Sequence, residues 1–226
     1  FRINSRTASV AMRNMNSPGE KLSLYTDLTA LPASGGTPNL FAVDHIGKQF
    51  QRTDANAPIQ LACQKNAGML FTDGYSNGGT PNAPAVTGLG APFDPTPANS
   101  MAAIATKYYQ TTLRTGPNFP AGRVPVPSGC GLPNPDPRLD CNANLHMNFY
   151  GITLGATGAI YDPDVERDPF VSPYPAWPGH TNDNPSTVDD IWHATVNTRG
   201  EFINARTPSE ITAAMRRVLS SVSEGR

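Results

Sequence analysis

Short apolar runs typical of strands alternate along this chain with the wider apolar spacing of helices, and this alternation constrains its fold most. Strands are predicted at residues 1–4, 67–71, 146–154 and 201–205. Helices are predicted at residues 22–31, 37–50, 98–114, 186–200 and 207–222. Strands that alternate with helices build a mainly parallel sheet with helices on both faces. The sequence therefore predicts a three-layer, Rossmann-like α/β fold.

Capping residues mark where three of these helices begin. Thr37 is predicted to cap the second helix, with Pro38 in its first turn. Ser186 and Asp189 form a capping pair for the fourth helix, and Thr207 opens a capping box for the last one. The last helix also carries an apolar stripe that is predicted to face the core. That stripe consists of Ile211, Ala214, Met215, Val218, Leu219 and Val222.

Three long loops interrupt the pattern at residues 76–99, 115–144 and 161–186. The chain has 23 prolines and 20 glycines among 226 residues, which is about 19% against roughly 12% in average proteins. Regular apolar segments between the loops exclude a disordered chain, and the length suffices for one substantial core. We therefore predict a single domain over residues 1–226, with the three loops as insertions.

The charge balance excludes some classes of partner. The chain carries 17 basic and 18 acidic residues, a net charge of −1. General nucleic-acid binding depends on a basic surface, which this composition does not provide. No apolar run approaches the roughly 18 residues that a membrane span needs. The sequence therefore predicts neither nucleic-acid binding nor a membrane span.

Two of the three cysteines, Cys130 and Cys141, bracket a proline-rich stretch without regular structure. A disulfide between them would stabilise the fold by about 3 kcal/mol, and it would place the protein in the periplasm or outside the cell. Two free thiols are the alternative. A metal site is disfavoured, because no CxxC spacing or nearby histidine pair accompanies them. Cys63 is then either a buried structural thiol or the partner of a cysteine outside this chain.

Two polar residues stand where ligands bind in a parallel sheet, in loops at the carboxyl ends of strands. Thr37 follows a double glycine ahead of a helix, and Asp73 follows the apolar strand at 67–71. A hydroxyl and a carboxylate that converge at one edge of a sheet suit Mg²⁺ or Ca²⁺, which prefer oxygen ligands. In the simpler interpretations, Thr37 only caps its helix and Asp73 only stabilises an Asp-Gly turn.

The remaining polar candidates are interpreted as structural. Trp192 is predicted to lie in the core, and no catalytic role is predicted for His146 or His193. The acidic cluster of the third loop lacks the glycine and the terminal glutamate of an EF-hand, so a solvated loop is expected rather than a Ca²⁺ site. That cluster consists of Asp162, Asp164, Glu166 and Asp168. No GxSxG or phosphate-loop motif occurs, so no enzymatic activity is predicted.

Three segments carry a resemblance to a known family. They are LPASGGTP at 31–38, CQKN followed by FTDGY within 63–75, and VDDIWHA followed by NTRGEF within 188–202. In this order they resemble the von Willebrand factor A-type domain of the PilY-type type IV pilus tip adhesins and biogenesis factors. The resemblance extends from about residue 1 to residue 222, and it implies a three-layer von Willebrand A-type fold.

The resemblance also implies a metal-ion-dependent adhesion site. Thr37 falls on the threonine ligand of that site and Asp73 on its second aspartate, with Mg²⁺ or Ca²⁺ as the implied ion. The site needs an Asp-x-Ser-x-Ser loop after the first strand as well, and this sequence does not occur in residues 1–226. We therefore expect the first strand to be missing from this chain. An upstream segment of the same precursor is expected to complete the sheet.

The implied function is a non-enzymatic module for surface adhesion and pilus assembly. By resemblance, it is exposed outside the cell at the tip of a type IV pilus, which it reaches through the periplasm. Its implied partners are the minor pilins of the tip complex and host or abiotic surfaces, and its implied role includes support of twitching motility. Two other classes stay open. One is a secreted metal-dependent hydrolase that uses Asp73 with a histidine, and the other is a purely structural scaffold.

Overall fold

A computed structural model describes residues 3–4, 12–31 and 35–224. Its helices are α1 (Glu20–Thr29), α2 (Asn39–Phe50), α3 (Met101–Gln110), α4 (Ser186–Asn197) and α5 (Pro208–Glu224), and its strands are β1 (Asn66–Phe71), β2 (Met147–Thr153) and β3 (Phe202–Asn204). These elements confirm most of the predicted ones, with their ends shifted by a few residues. The strand predicted at 1–4 is the exception, because Ile3 and Asn4 lie in a turn. Residues 1–2 of that strand, and residues 32–34 of the predicted adhesion-site loop, lie outside the described residues.

The described strands form one parallel sheet in the order β1-β2-β3. β1 pairs with β2 from Asn66 opposite Met147 to Phe71 opposite Ile152. The central strand, β2, has an alternating sequence pattern, yet all its residues are buried. A central parallel strand is covered on both faces, so neither set of side chains reaches solvent. The predicted α/β class with a parallel sheet is confirmed.

Helices cover both faces of this sheet. On one face, α2, α3 and α4 pack around Phe149 of β2, which is completely buried. On the other face, α5 packs against Ile152 through Ala214 and Val218. Burial of a side chain as large as Phe149 or Ile152 contributes roughly 1.5–3 kcal/mol. The larger core also contains Leu40, Val43, Met101, Ile104, Tyr108, Met147 and Ile191.

Apolar residues on two helices lack a covering neighbour among the described residues. α1 forms where its leucine and tyrosine spacing predicts it, but Leu22, Tyr25 and Leu28 are 69%, 63% and 52% exposed. Leu219 of α5 was predicted to face the core and is 62% exposed instead. α5 turns Val218 toward the sheet, which leaves its neighbour Leu219 on the outer side.

No described helix is both long enough and apolar enough to cross a membrane.

Gly200 marks a very close approach between two backbone segments. α4 ends at Asn197 rather than at Gly200, where the sequence predicted its end. A Cβ atom added to Gly200 would lie 1.7 Å from the carbonyl oxygen of Phe149. Only a residue without a side chain lets the chain pass from α4 into β3 at this distance from β2.

Asp189 anchors the loop that follows β2 instead of capping α4. α4 begins after Pro185 without a side-chain cap, so the capping role predicted for Ser186 and Asp189 is wrong. The Asp189 carboxylate accepts hydrogen bonds from the backbone N–H groups of residues 159–161, at distances between 2.7 and 3.3 Å. Burial raises the pKa of Asp189, although these hydrogen bonds favour its charged form. The start of the third loop is therefore fixed to α4.

The capping box predicted for α5 does form, through hydrogen bonds between Thr207 and Glu210.

The cysteines divide as one pair and one free thiol. Cys130 and Cys141 form a disulfide, and their Cα atoms lie 5.5 Å apart. This bond closes the proline-rich part of the second loop. Cys63 is free and exposed. Its interpretation as a buried structural thiol is therefore wrong.

Replacing Cys130 with serine is expected to lower the free energy of unfolding by about 3 kcal/mol, because the unfolded chain loses the constraint on a loop with a sequence separation of 11. Urea denaturation without reducing agent measures the difference. The matched control, Cys63→Ser, removes an exposed thiol and is expected to change stability by less than about 0.5 kcal/mol. Equal losses in both variants would contradict a stabilising role for the disulfide.

Candidate functional site

One end of the sheet, where β1 and β2 finish and α2 and α4 begin, holds the polar residues of the predicted metal site. We call it the rim site; it comprises Thr37, Asn39, Thr72, Asp73, Ser76 and Asn77. Thr72 continues the pairing of β1, since its N–H donates to the carbonyl of Ile152 at 3.0 Å. Gly74 then turns the chain with a φ of 125°. This turn leaves Asp73 exposed at the end of the strand.

Hydrogen bonds join the two segments that were predicted to form the site. The N–H of Asn77 donates to the Thr37 carbonyl at 2.9 Å, and the N–H of Thr37 donates to Asn77 Oδ1 at 2.6 Å. The Ser76 hydroxyl donates to the same Thr37 carbonyl at 3.2 Å. α2 begins at Asn39 without a side-chain cap, so the interpretation of Thr37 as a helix cap is wrong. Thr37 instead belongs to the loop that contacts the residues after Asp73.

A short hydrogen-bond chain orients the Asp73 carboxylate. Asn39, which is completely buried, donates from Nδ2 to Thr72 Oγ1 at 3.3 Å. The Thr72 hydroxyl donates in turn to Asp73 Oδ1 at 3.3 Å, and it accepts the N–H of Gly74 at 3.3 Å. The carboxylate is therefore held from its buried side while its outer side faces solvent.

Residues 180–184 close the rim site from the side of α4. The N–H of Asp183 donates to the Ser76 carbonyl at 2.8 Å. Asn182 donates from Nδ2 to the carbonyl of Gly78 at 2.6 Å. These bonds join the third loop to the segment that follows Asp73, so three segments that are distant in sequence meet at the rim site.

A buried ion pair connects this closing segment to the helices. Nδ1 of His180 lies 2.8 Å from Asp190 Oδ2, and its Nε2 lies 3.1 Å from Asn182 Oδ1. Burial alone would lower the pKa of His180, but its hydrogen bonds and the Asp190 charge raise it. Asp190 also accepts the backbone N–H groups of Met101 and Ala102 at the start of α3. The rim site is thus braced against α3 and α4.

The oxygen chemistry of the rim site suits a hard cation only in part. Hydroxyl, amide and carboxylate oxygens are the ligands that Mg²⁺ and Ca²⁺ prefer. The buried Oδ1 of Asn39 has no hydrogen-bond partner in the described part of the chain. In the same part, no group of three His, Cys, Asp or Glu side chains lies close enough to hold a metal ion. The described residues therefore include no cluster of that kind, and the metal site at Thr37 and Asp73 stays a prediction.

The other residues considered in the sequence lie either in the core or on the surface, away from the rim site. His193 is buried, its Nε2 lies 2.8 Å from the Phe93 carbonyl, and its ring stacks on Trp177 at 4.2 Å. Burial lowers the pKa of His193 to about 4, which keeps the ring neutral at pH 7. Trp192 lies in the core, as predicted, and is 5% exposed. In the acidic loop, the exposed Asp164 forms an ion pair with Arg206 at 2.8 Å.

His146 belongs to a buried polar cluster around Asp140. The Asp140 carboxylate accepts hydrogen bonds from Asn148 Nδ2 and the Tyr109 hydroxyl, both at 2.9 Å, and meets Nε2 of His146 at 2.7 Å. Burial alone would raise the pKa of Asp140, yet these partners lower it to about 2. This cluster lies at the start of β2, at the opposite end of that strand from the rim site.

The Asp140 cluster predicts a loss of stability in acid. A carboxyl with a pKa near 2 when folded and near 3.8 when unfolded contributes about 2 kcal/mol that is present above pH 4 and lost as the pH falls toward 2. The slope of unfolding free energy against pH, measured by urea denaturation between pH 5 and 2.5, is expected to be shallower in Asp140→Asn. Parallel slopes in the two proteins would contradict the assignment.

Five residues that shape the rim site were not predicted from the sequence: Asn39, Thr72, Ser76, Asn77 and Asp183. Asn39 and Asn77 each lie within four positions of Thr37 or Asp73, so their proximity was an available signal. No local signal marks Asp183, because its contact with Ser76 depends on how the third loop folds over the rim site.

Comparison with known proteins found similarity to one kind of protein. The chain is 26% identical over 242 residues to the type IV pilus biogenesis factor PilY1 of Pseudomonas aeruginosa strain PAO1, and 29% identical over 238 residues to PilY1 of strain UCBPP-PA14. Each match covers 90% of this chain and 20% of the relative, so the chain spans about a fifth of the length of these curated relatives. No protein-family model and no solved structure matches the chain. Over nine-tenths of its length, the chain is therefore similar to one region of a PilY1-type type IV pilus factor, as its motifs predicted.

Proposed function

We propose that this chain is a non-enzymatic module for adhesion and assembly of a type IV pilus, exposed outside the cell at the pilus tip. The observation that carries the proposal is its similarity to PilY1 along 90% of the chain, because those relatives are pilus biogenesis factors. The disulfide between Cys130 and Cys141 supports a location outside the cytoplasm. The proposed partners are minor pilins of the tip complex and host or abiotic surfaces, and the proposed role includes twitching motility.

We further propose that the rim site is the adhesion site, of the von Willebrand A type, with Thr37 and Asp73 as ligands for Mg²⁺ or Ca²⁺. Two observations support this proposal. The exposed carboxylate of Asp73 accepts a hydrogen bond from the Thr72 hydroxyl. The loop that contains Thr37 is joined to the segment after Asp73, because the Thr37 N–H donates to Asn77 Oδ1. An upstream segment of the same precursor would bring an Asp-x-Ser-x-Ser motif and add a strand beside β1. β1 pairs only with β2 in the described sheet, so its other side can accept that strand.

Asp73→Ala in the full-length protein, expressed in its native host, is expected to reduce surface attachment about tenfold, which is the effect of losing ~1.4 kcal/mol of binding. Twitching is expected to fall with it, while the amount of surface protein stays unchanged. Attachment counts, twitching zones and immunoblots of sheared surface fractions measure the three quantities. Asp27→Ala is the matched control, because Asp27 is an exposed aspartate on α1.

The same variant separates the proposal from its alternatives. Normal attachment and twitching by Asp73→Ala would contradict the adhesion site and leave a scaffold role. Loss of a hydrolytic activity with normal attachment would favour the metal-dependent hydrolase. No observation on the described residues favours that enzyme, since His45, His146, His180 and His193 each have hydrogen-bond partners other than Asp73.

A further inference from the structure

A second concave site lies between the third loop and α4, and it shares no residue with the rim site. It is a cavity of about 600 Å³, within the roughly 300–1,000 Å³ that is common for ligand pockets. Trp192 and Val196 of α4 line it, together with Glu201, Phe202 and residues 163–167 of the third loop. We call it the loop pocket. Nothing in the proposed adhesion function uses it.

Aromatic rings form one corner of the loop pocket. The Tyr161 ring packs edge-to-face on Trp192, with centroids 5.4 Å apart, and on Phe202, with centroids 4.8 Å apart and planes at 88°. Rings in such an arrangement can offer their electron-rich faces to a cation. An aromatic side chain of this pocket already does so within the chain, because the guanidinium of Arg138 lies 5.0 Å from the centre of the Phe170 ring.

The lining of the loop pocket includes one carboxylate that is free to pair with a cation. Its carboxylates belong to Asp164, Glu166 and Glu201. Asp164 and Glu201 are already paired, with Arg206 and Arg217 respectively. Glu166 is exposed, and within the described part of the chain it makes no hydrogen bond or ion pair. Its carboxylate is therefore available to a positively charged ligand.

Arg167 is the basic residue among those that line the loop pocket. Its Nη2 donates to the carbonyl of Pro173 at 3.4 Å, a contact within the third loop. A cation in the pocket would be repelled by this guanidinium and attracted by Glu166. The two neighbouring residues therefore have opposite expected effects on affinity, which makes the charge of the ligand testable.

We infer that the loop pocket binds a basic side chain, lysine or arginine, presented by a partner protein. The aromatic corner of Tyr161, Trp192 and Phe202 receives the aliphatic stem and the face of the cation. The carboxylate of Glu166 pairs with its charge. The pocket is open to solvent at the exposed side chains of Glu166 and Arg167, so a side chain on a protein surface can enter it.

An NMR titration of the 226-residue chain tests this inference with two probes that differ only in the terminal ammonium group. Nα-acetyl-lysine-N-methylamide carries the cation, and Nα-acetyl-norleucine-N-methylamide is its neutral counterpart. The lysine probe is expected to shift the amide signals of Thr195, Glu201 and Phe202 saturably, with at least about threefold tighter binding than the norleucine probe. Equal affinities, or no saturation with the lysine probe, would overturn the inference.

Variants then test the charges of the loop pocket. Glu166→Gln is expected to weaken binding of the lysine probe by about threefold, and Arg167→Gln to strengthen it by a similar factor. Asp27→Asn, an exposed carboxylate on α1 outside the pocket, is expected to leave affinity unchanged. These three residues are exposed, so thermal unfolding is expected to show that each variant folds. Unchanged affinity in Glu166→Gln, or the opposite pattern with preference for Nα-acetyl-glutamate-N-methylamide, would overturn the inference.

Discussion

Replacing Asp190 with asparagine is expected to lower the free energy of unfolding by about 3–5 kcal/mol, the usual cost of breaking a buried charge pair. Asp190 accepts the N–H groups of Met101 and Ala102 at 2.7 and 3.0 Å and pairs with His180 at 2.8 Å. The side chains of His180 and Asp190 are only 5% and 2% exposed. Asparagine offers one acceptor oxygen in place of two, so at least one of these donors loses its partner in the core. Urea denaturation at pH 6 measures the loss.

The same variant is expected to change the pH dependence of stability. The pKa of His180 is raised above its ordinary value of 6.5 in the folded state. The contribution of the pair is therefore fully present below pH 6.5 and is lost as the pH rises through the folded pKa. Asp190→Asn is expected to lack this dependence. Asp164→Asn is the matched control, because its ion pair with Arg206 is exposed and is worth less than about 1 kcal/mol. Equal losses in both variants would contradict the special role of the buried pair.

Replacing Gly200 with alanine is expected to destabilise the fold by at least about 3 kcal/mol. The added Cβ would lie 1.7 Å from the carbonyl oxygen and 2.6 Å from the carbonyl carbon of Phe149. Both are backbone atoms of the central strand, so no side-chain rotation relieves the clash. Either β2 or the connection from α4 to β3 has to move. Thermal and urea unfolding of the purified variant measure the effect.

Gly179→Ala is the matched control for the Gly200 variant. A Cβ atom at Gly179 would meet no atom within 4 Å. Its replacement is expected to change stability by less than about 1 kcal/mol, because the added methyl group has room and alanine restricts the unfolded chain only slightly. A Gly200→Ala protein as stable as Gly179→Ala would show that β2 and β3 tolerate a wider separation. The close approach would then not be a requirement of the fold.

The rim site was accessible to sequence analysis only in part. Thr37 and Asp73 stand out because each occupies a position after a strand-like or glycine-rich signal, and hydrogen bonds do join their segments. Asn39 does not stand out, although it supports Asp73 through Thr72. Asn39 and Thr72 are separated by 33 positions in the sequence, and their contact depends on how α2 packs against the end of β1. Local spacing contains no information about that packing.

The burial of side chains was likewise harder to predict from the sequence than the secondary structure was. Leu22 and Leu28 predict α1 correctly as a helix, yet both are exposed. Leu219 belongs to the apolar stripe of α5 and also faces away from the core. Periodicity reports the backbone conformation that a segment adopts, whereas burial requires a second element to cover it. For the same reason, the alternating pattern of β2 did not predict that all its residues are buried.

By itself, the sequence determined the α/β class, the order of the main helices and strands, the resemblance to PilY-type pilus factors and the capping box of α5. These features arise from residues close together along the chain, where periodicity and capping act. Only the tertiary structure decided that Asp189 anchors a loop instead of capping α4, and that Asp190 binds the start of α3. It alone also brought Tyr161, Trp192 and Phe202 together around the loop pocket. Such contacts depend on which distant elements pack against each other, because a buried carboxylate or ring takes the partners that the folded chain places beside it.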